Sequence, residues 1–197
     1  MNERPFAPAC ERNQAPIFEA LSQHLPESAQ ILEIGSGTGQ HAVYFTARRP
    51  SWQWQCSDLA ENLPGIQAWL ADAPALPAPI ALDVMDEHGW PTQAYDAVFT
   101  ANTLHIMPWP AGVRLIAQLP RVLKPRGLFI AYGPFNYAGD FTSPSNAEFD
   151  AMLRARAPHQ GIRDFERVDE QAARAGLRLV KDHPMPANNR LIVWQAT

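Results

Sequence analysis

The sequence predicts an α/β fold: an open, mostly parallel sheet with helices on both faces and an antiparallel hairpin at the C-terminal end. Three observations carry that expectation. Apolar runs of strand length alternate with helical patterns through the first two thirds of the chain. A glycine turn, Gly35-Ser36-Gly37-Thr38-Gly39, joins the first strand to a helix. Two strand-like runs near the end stand only eight residues apart. That gap is too short for a parallel crossover, which takes about a dozen residues or more, so these runs must pair antiparallel.

Each element has its own signal. Ile17, Leu21, His24 and Leu25 fall at helical spacing and predict a helix over residues 14–25, capped by Asn13. Residues 30–34 form an apolar strand entering the glycine turn, and residues 41–49 form the following helix, stopped by Pro50. Alternation over 52–56 predicts a second strand ending at Ser57-Asp58, and 63–70 a short helix. A third strand is expected over 80–84, a fourth over 95–101 ending at Asn102, and a helix over 111–123. Lys124-Pro125-Arg126-Gly127 is expected to be a turn before a fifth strand over 128–132. The last third breaks the rhythm: a loop over 133–144, a helix opened by a Ser145-x-x-Glu148 capping box, a helix over 167–175 stopped by Gly176, then strands over 177–181 and 190–195.

Composition narrows the function classes. The 197 residues suit one domain, and 46% hydrophobic against 18% charged residues excludes disorder throughout. Apolar runs fall far short of the roughly 20 residues that span a bilayer, and the opening residues lack the apolar core of a signal peptide, so a soluble, cytoplasmic protein is expected. The two cysteines, Cys10 and Cys56, form no CxxC, which argues against a disulfide scaffold or a cysteine zinc site. Sixteen basic against twenty acidic side chains, net charge -4, with arginines scattered, disfavours a surface that tracks nucleic acid.

The glycine turn is the chemical signal. Glycines at 35, 37 and 39 let bare backbone approach a ligand, and the helix that follows presents free N–H groups. A dinucleotide fingerprint needs its last glycine at position 40, where Gln40 stands, and no Lys-Ser/Thr follows as in a nucleotide-triphosphate loop. What remains is E-x-G-x-G-x-G, Glu33 to Gly39, with Asp58 at the end of the next strand.

That string resembles motif I of the class I S-adenosylmethionine-dependent methyltransferases, whose sheet is Rossmann-like and ends in an antiparallel strand. The resemblance implies S-adenosylmethionine as cofactor, held by Glu33, Gly35, Ser36, Gly37, Thr38 and Gly39, by Asp58 and Leu59 at the ribose, by Asp83 and Val84 beside the adenine, and by Asn102 near the methionine portion. The opening Pro8-Ala9-Cys10-Glu11-Arg12-Asn13 with Pro16-Ile17, the run from Ala101 to Trp109 and that from Tyr132 to Gly139 are similar to the methyltransferase-like protein 26 family over essentially the whole chain.

Methyl transfer from a sulfonium asks the protein to align a nucleophile and exclude water, so no metal site is assigned. His105 is the candidate general base, with packing as its bland alternative. Tyr132, Phe135 and Asn136 are candidates for the acceptor pocket, and Tyr137 and Asp140 for a lid loop. Arg12 and Asn13 are candidate cofactor contacts and Glu11 a candidate acceptor contact; equally, Asn13 caps a helix and Arg12 is a solvated charge. Residues 1–26 would then cover the cofactor and residues 133–176 form a lid on a single domain. His24, His41, His88, His159 and His183 lack partners at metal-ligand spacing and receive no site. The fourth strand ends in Asn-Thr-Leu-His rather than the Asn/Asp-Pro-Pro-aromatic string that resembles amino-methyltransferases acting on planar amides or bases, which disfavours base methylation; a small-molecule acceptor is expected because there is no basic stripe and no appended recognition domain. Two other readings stay open: a cofactor-binding regulatory protein without turnover, and an NAD(P)-dependent oxidoreductase, which Gln40 disfavours. The oligomeric state is left open.

Overall fold

The computed structural model describes residues 4–197, so the first three residues of the expected N-terminal cover lie outside the described residues. The chain runs α1 (Pro8–His24), β1 (Ala29–Ile34), α2 (Gln40–Arg48), β2 (Trp52–Asp58), α3 (Leu63–Leu70), β3 (Ile80–Ala81), β4 (Tyr95–Ala101), α4 (Trp109–Val122) and β5 (Leu123–Gly133). Then come β6 (Phe135–Asn136), α5 (Pro144–Arg156), β7 (Arg163–Asp164), α6 (Phe165–Arg174), β8 (Leu177–Met185) and β9 (Asn189–Ala196). Seven strands form one sheet in the order β3-β2-β1-β4-β5-β9-β8. The first five are parallel; β9 runs antiparallel to both β5 and β8. The expected architecture, terminal hairpin included, is therefore the one observed.

Strand alternation builds two cores from one sheet. Ile31, Ala97, Phe99, Ile130 and Val193 point to one face, where Ile17 and Leu21 of α1, Phe45 of α2 and Ile66 of α3 cover them. Their neighbours Leu32, Val98, Phe129 and Trp194 point to the other, under Leu115 and Leu119 of α4 and Val168 of α6. A sheet buried on both faces needs apolar residues at consecutive positions, which is why these strands read as runs.

Several boundaries depart from the sequence expectation. α1 begins at Pro8, not at residue 14, because Pro8 takes the first helical position, where its missing N–H costs nothing. Asn13 consequently does not cap the helix: it lies inside it, buried, and its Oδ1 meets His41 Nε2 at 2.8 Å. Likewise α5 begins at Pro144, and Ser143 is its cap, its Oγ accepting from Asn146 N–H at 3.2 Å; the expected Ser145–Glu148 box sits two residues too late. β3 stops at Ala81 because Asp83 folds the chain into a turn, its Oδ1 accepting from Met85 N–H. Lys124 to Gly127 is absorbed into β5, where Lys124 Nζ pairs with Asp96 across to β4. The two-residue pair β6–β7 was not foreseen.

Candidate functional site

The parallel strands end on one side of the sheet, where their connections diverge, and a cleft of about 650 Å³ opens there. That volume is in the range of small-molecule sites, roughly 300–1,000 Å³. Its floor is the glycine turn. Gly35, Gly37 and Gly39 adopt φ of +74°, +60° and +85°, which L side chains rarely take. A Cβ on Gly35 would fall 2.6 Å from Thr103 Oγ1, whereas one on Gly37 would meet nothing within 4 Å. Gly35 is thus required by packing, and Gly37 leaves bare backbone facing open space.

Asp58, at the end of β2, crosses to this turn. Its Oδ2 accepts from Gly37 N–H at 2.7 Å, and its Oδ1 from Leu59 N–H at 2.8 Å and Asn62 Nδ2 at 2.7 Å. An ionised carboxylate has about four lone-pair sites, so three are filled and one remains on Oδ2. A vicinal diol therefore finds one acceptor ready and gains the second only when Asn62 swings aside. Asn62 lines the cleft with Asp58 and Leu59, well placed for that exchange.

Across the cleft, Asn102 at the end of β4 holds φ of +56°, a left-handed conformation that Asn tolerates better than most residues and that clusters at functional sites. Its N–H is tied to Tyr132 C=O at 2.8 Å. Leu82, Asp83 and Val84 form the side wall, and Ile106, Met107 and Pro108 the apolar mouth.

Of the residues singled out from sequence, Gly35, Gly37, Asp58, Leu59, Asp83, Val84 and Asn102 line the cleft together. Others are placed elsewhere. Glu33 is 1% exposed and faces the core, accepting from Trp54 Nε1 at 3.0 Å and lying 3.7 Å from His41 Nδ1. Ser36 Oγ serves Ser57 N–H, Thr38 Oγ1 donates to Gln40 Oε1, and Gly39 caps α2. Glu11 and Arg12 are exposed on α1 and are not part of the cleft wall. Phe135 and Tyr132 are core residues, and Asn136 belongs to a different hollow. Tyr137 packs on Phe165 and donates its hydroxyl to Asp182, while Asp140 is exposed.

His105 is 5% exposed and is not part of the cleft wall. Its ring stands edge-on to Phe149 of α5, 5.4 Å between centroids. Burial, and secondarily the Arg163 guanidinium, push its pKa down to about 4, so the imidazole is neutral at pH 7. The loop after α5 also lines the cleft, with two residues to which the sequence assigned no site: His159, and Gln160, whose buried Oε1 has no hydrogen-bond partner among the described residues. Nothing in the spacing of the loop after α5 signals them; they reach the cleft because Arg163 fastens that loop, donating to the carbonyls of Leu104, Met107 and His159.

Comparison with known proteins adds a family and a fold. A family model described as "Protein of unknown function (DUF938)" matches residues 4–196. A curated relative, "Probable methyltransferase ltbC" of Aspergillus luteorubrus, is 28% identical over 116 residues, covering 55% of this chain and 41% of that protein. Among solved structures, an O-methyltransferase family protein from Burkholderia thailandensis superposes with TM-score 0.82 at 16% identity, over 96% of this chain and 57% of that one. Human N-acetylserotonin methyltransferase in complex with SAM superposes with TM-score 0.79 at 16% identity, over 95% of this chain and 52% of that one. At such identities the likeness shows a methyltransferase-like, Rossmann-like fold. The chain spans about half the length of the relatives it matches.

Proposed function

The chain belongs to the DUF938 family, and from that premise we propose that it is an S-adenosylmethionine-dependent methyltransferase acting on a small molecule. The observation that carries the reading is the pairing of Gly37 with Asp58: bare backbone at positive φ, open to solvent, beside a carboxylate with a free lone pair. The residues fit the cofactor. Gly35 and Gly37 would take the methionine end, Asp58 and Leu59 the ribose, and Asp83 and Val84 the adenine, with Asn102 facing the reacting end. The Aspergillus relative, a probable methyltransferase, and the SAM complex of a neighbour of the same fold support this reading. The similarity to the methyltransferase-like protein 26 family belongs to the same reading.

Bound there, the cofactor supplies an electrophilic sulfonium methyl. The chain's own work is alignment and exclusion of water. Ile106, Met107 and Pro108 give the mouth an apolar rim, suited to an acceptor with an apolar body. Gln160 Oε1 is an unmet acceptor and would take a hydroxyl or amino hydrogen of that molecule. His105, neutral at pH 7, is in the protonation state of a base, but burial lowers its proton affinity about 300-fold against a free imidazole. His105 is buried against Phe149 of α5 and lies outside the cleft wall, so its use as the base, with contacts from Tyr132 and Phe135, goes in this reading with movement of residues 133–176 as a lid over a single domain. Asn13 and Arg12 would act from the N-terminal cover, which Ala7 N–H pins to Gln40 Oε1 at 2.6 Å beside the glycine turn.

Calorimetric titration with S-adenosylmethionine and S-adenosylhomocysteine tests the reading. Micromolar-range binding is expected, and Gly37→Val should abolish it, because a β-branched side chain is strained at φ +60° and would project into the cleft. His105→Ala should lower turnover while leaving cofactor affinity intact. Failure of both ligands to bind the wild-type protein removes the proposal.

A further inference from the structure

A second hollow, of about 310 Å³, lies between the start of α4, β6, the end of α5 and the start of α6, and nothing in methyl transfer calls for it. Three arginines share its wall: Arg154, Arg163 and Arg167. Arg154 is paired with Asp150, its Nε 2.6 Å from Oδ2. Arg163 gives Nε and Nη2 to three backbone carbonyls, which leaves the two N–H donors of Nη1, and it meets no carboxylate in ion-pair range among the described residues. Arg167 lies over the Trp109 ring, 4.7 Å from its centroid, and likewise forms no ion pair among the described residues. Arg163 is held below the usual arginine range by burial and then by Arg154 and Arg167, which marks the hollow as short of negative charge.

The same wall holds two acceptors that take no side-chain hydrogen bond among the described residues, one buried and one half-buried. Asn136 is 6% exposed, and its Oδ1 has no partner among the described residues. Leaving such a group unpaired is costly, and a ligand's donor recovers that cost. Asp164 stands at the N-cap of α6 without using its side chain to cap it, and its carboxylate accepts no hydrogen bond among the described residues. A simple anion would satisfy the arginines but leave Asn136 unmet and face Asp164. A simple cation would do the reverse.

We propose that this hollow is a binding site for a small α-amino acid in its zwitterionic form, the carboxylate facing Arg167 and Arg163 and the ammonium facing Asp164 and Asn136 Oδ1. Guanidinium groups match a carboxylate through paired N–H donors. The volume lies at the small end of ligand sites, which suits a single amino acid rather than a peptide. Trp109, Phe141 and Ile162, in the same wall, offer apolar contact to a side chain. The site is independent of the methyl-transfer reading and stands if that reading fails.

The test follows the Trp109 indole N–H by NMR in the full chain at constant ionic strength, with glycine and L-leucine as probes and acetate and methylammonium as the two half-ligands. At least one amino acid should give a saturable shift with Kd on the order of 1 mM or tighter. Each half-ligand should bind at least about tenfold more weakly, since it forgoes hydrogen bonds to charged groups worth about 1.5 kcal/mol or more. Arg167→Gln, which removes a guanidinium that holds no backbone group, should abolish the shift while the rest of the spectrum stays folded. Absence of a saturable shift with either amino acid overturns the proposal. So does acetate binding as tightly as the amino acids, which would make this a plain anion site, or full binding by Arg167→Gln.

Discussion

Replacing His41 by Gln probes the buried contact that fixes α1 beside the glycine turn. His41 is 4% exposed and lies between Asn13 of α1, 2.8 Å from its Nε2, and Glu33 of β1. Burial alone would keep it neutral, yet the neighbouring Cys10 and the Glu33 carboxylate, 3.7 Å away, outweigh burial and hold its pKa up at about 9, against 6.5 for a free histidine. A raised pKa means the folded state binds the proton more tightly than the unfolded state. The stabilisation is therefore complete below pH 6.5 and is lost as pH rises through about 9. At 1.36 kcal/mol per unit, that interval corresponds to about 3 kcal/mol. Urea denaturation of the wild type and His41→Gln at pH 6 and pH 9.5 reads it directly, because groups titrating alike in both proteins cancel in the difference. The wild-type advantage should shrink by about 3 kcal/mol between the two pH values. An advantage that is the same at both would refute a charged His41 and the role given to Glu33.

His105 makes the opposite case: its pKa is lowered to about 4, so stability present above pH 6.5 is lost as pH falls through 4. Wild type should lose about 3 kcal/mol over that range that His105→Gln keeps, checked by the same denaturation series. Gln160→Leu removes an unmet buried acceptor, so stability should rise by about 1 kcal/mol while any acceptor methylation weakens; a loss of stability would show that Gln160 already has a partner. Gly37→Val should leave the far-ultraviolet dichroism intact and eliminate the heat of cofactor binding; retained binding would mean that the turn is not the cofactor floor.

How much of this was legible in the sequence follows from how local each signal is. The apolar runs of β1, β4 and β5 and the short gap before the last strand needed no tertiary information, and they carried the parallel sheet with its antiparallel hairpin; the strand order itself came from the fold. The glycine turn was legible because positive φ favours glycine, and Asp58, which alone could equally be a cap or loop carboxylate, stood out only because it ends the strand beside that turn. Boundaries set by proline at the first helical turn depart from expectation at α1 and α5, since α1 was started from its apolar stripe and α5 from the Ser145–Glu148 box rather than from Pro8 and Pro144. Glu33 read as a ligand because it precedes the turn, but its strand position turns it into the core toward Trp54. Contacts made between distant segments left no local trace. His24 and His183 meet at 2.6 Å across 159 residues, and Gln160 reaches the cleft only through the loop that Arg163 holds. Asn136 shows the same limit: sequence placed it near an acceptor pocket, and the fold carried it to a different hollow.

The most direct test of the central claim is a crystal structure of the protein with S-adenosylhomocysteine. The expected result is the ribose diol on Asp58, with Asn62 displaced from Oδ1 and the methionine end over Gly37. Density for the nucleoside away from Asp58, or none at all at saturating ligand, would contradict it.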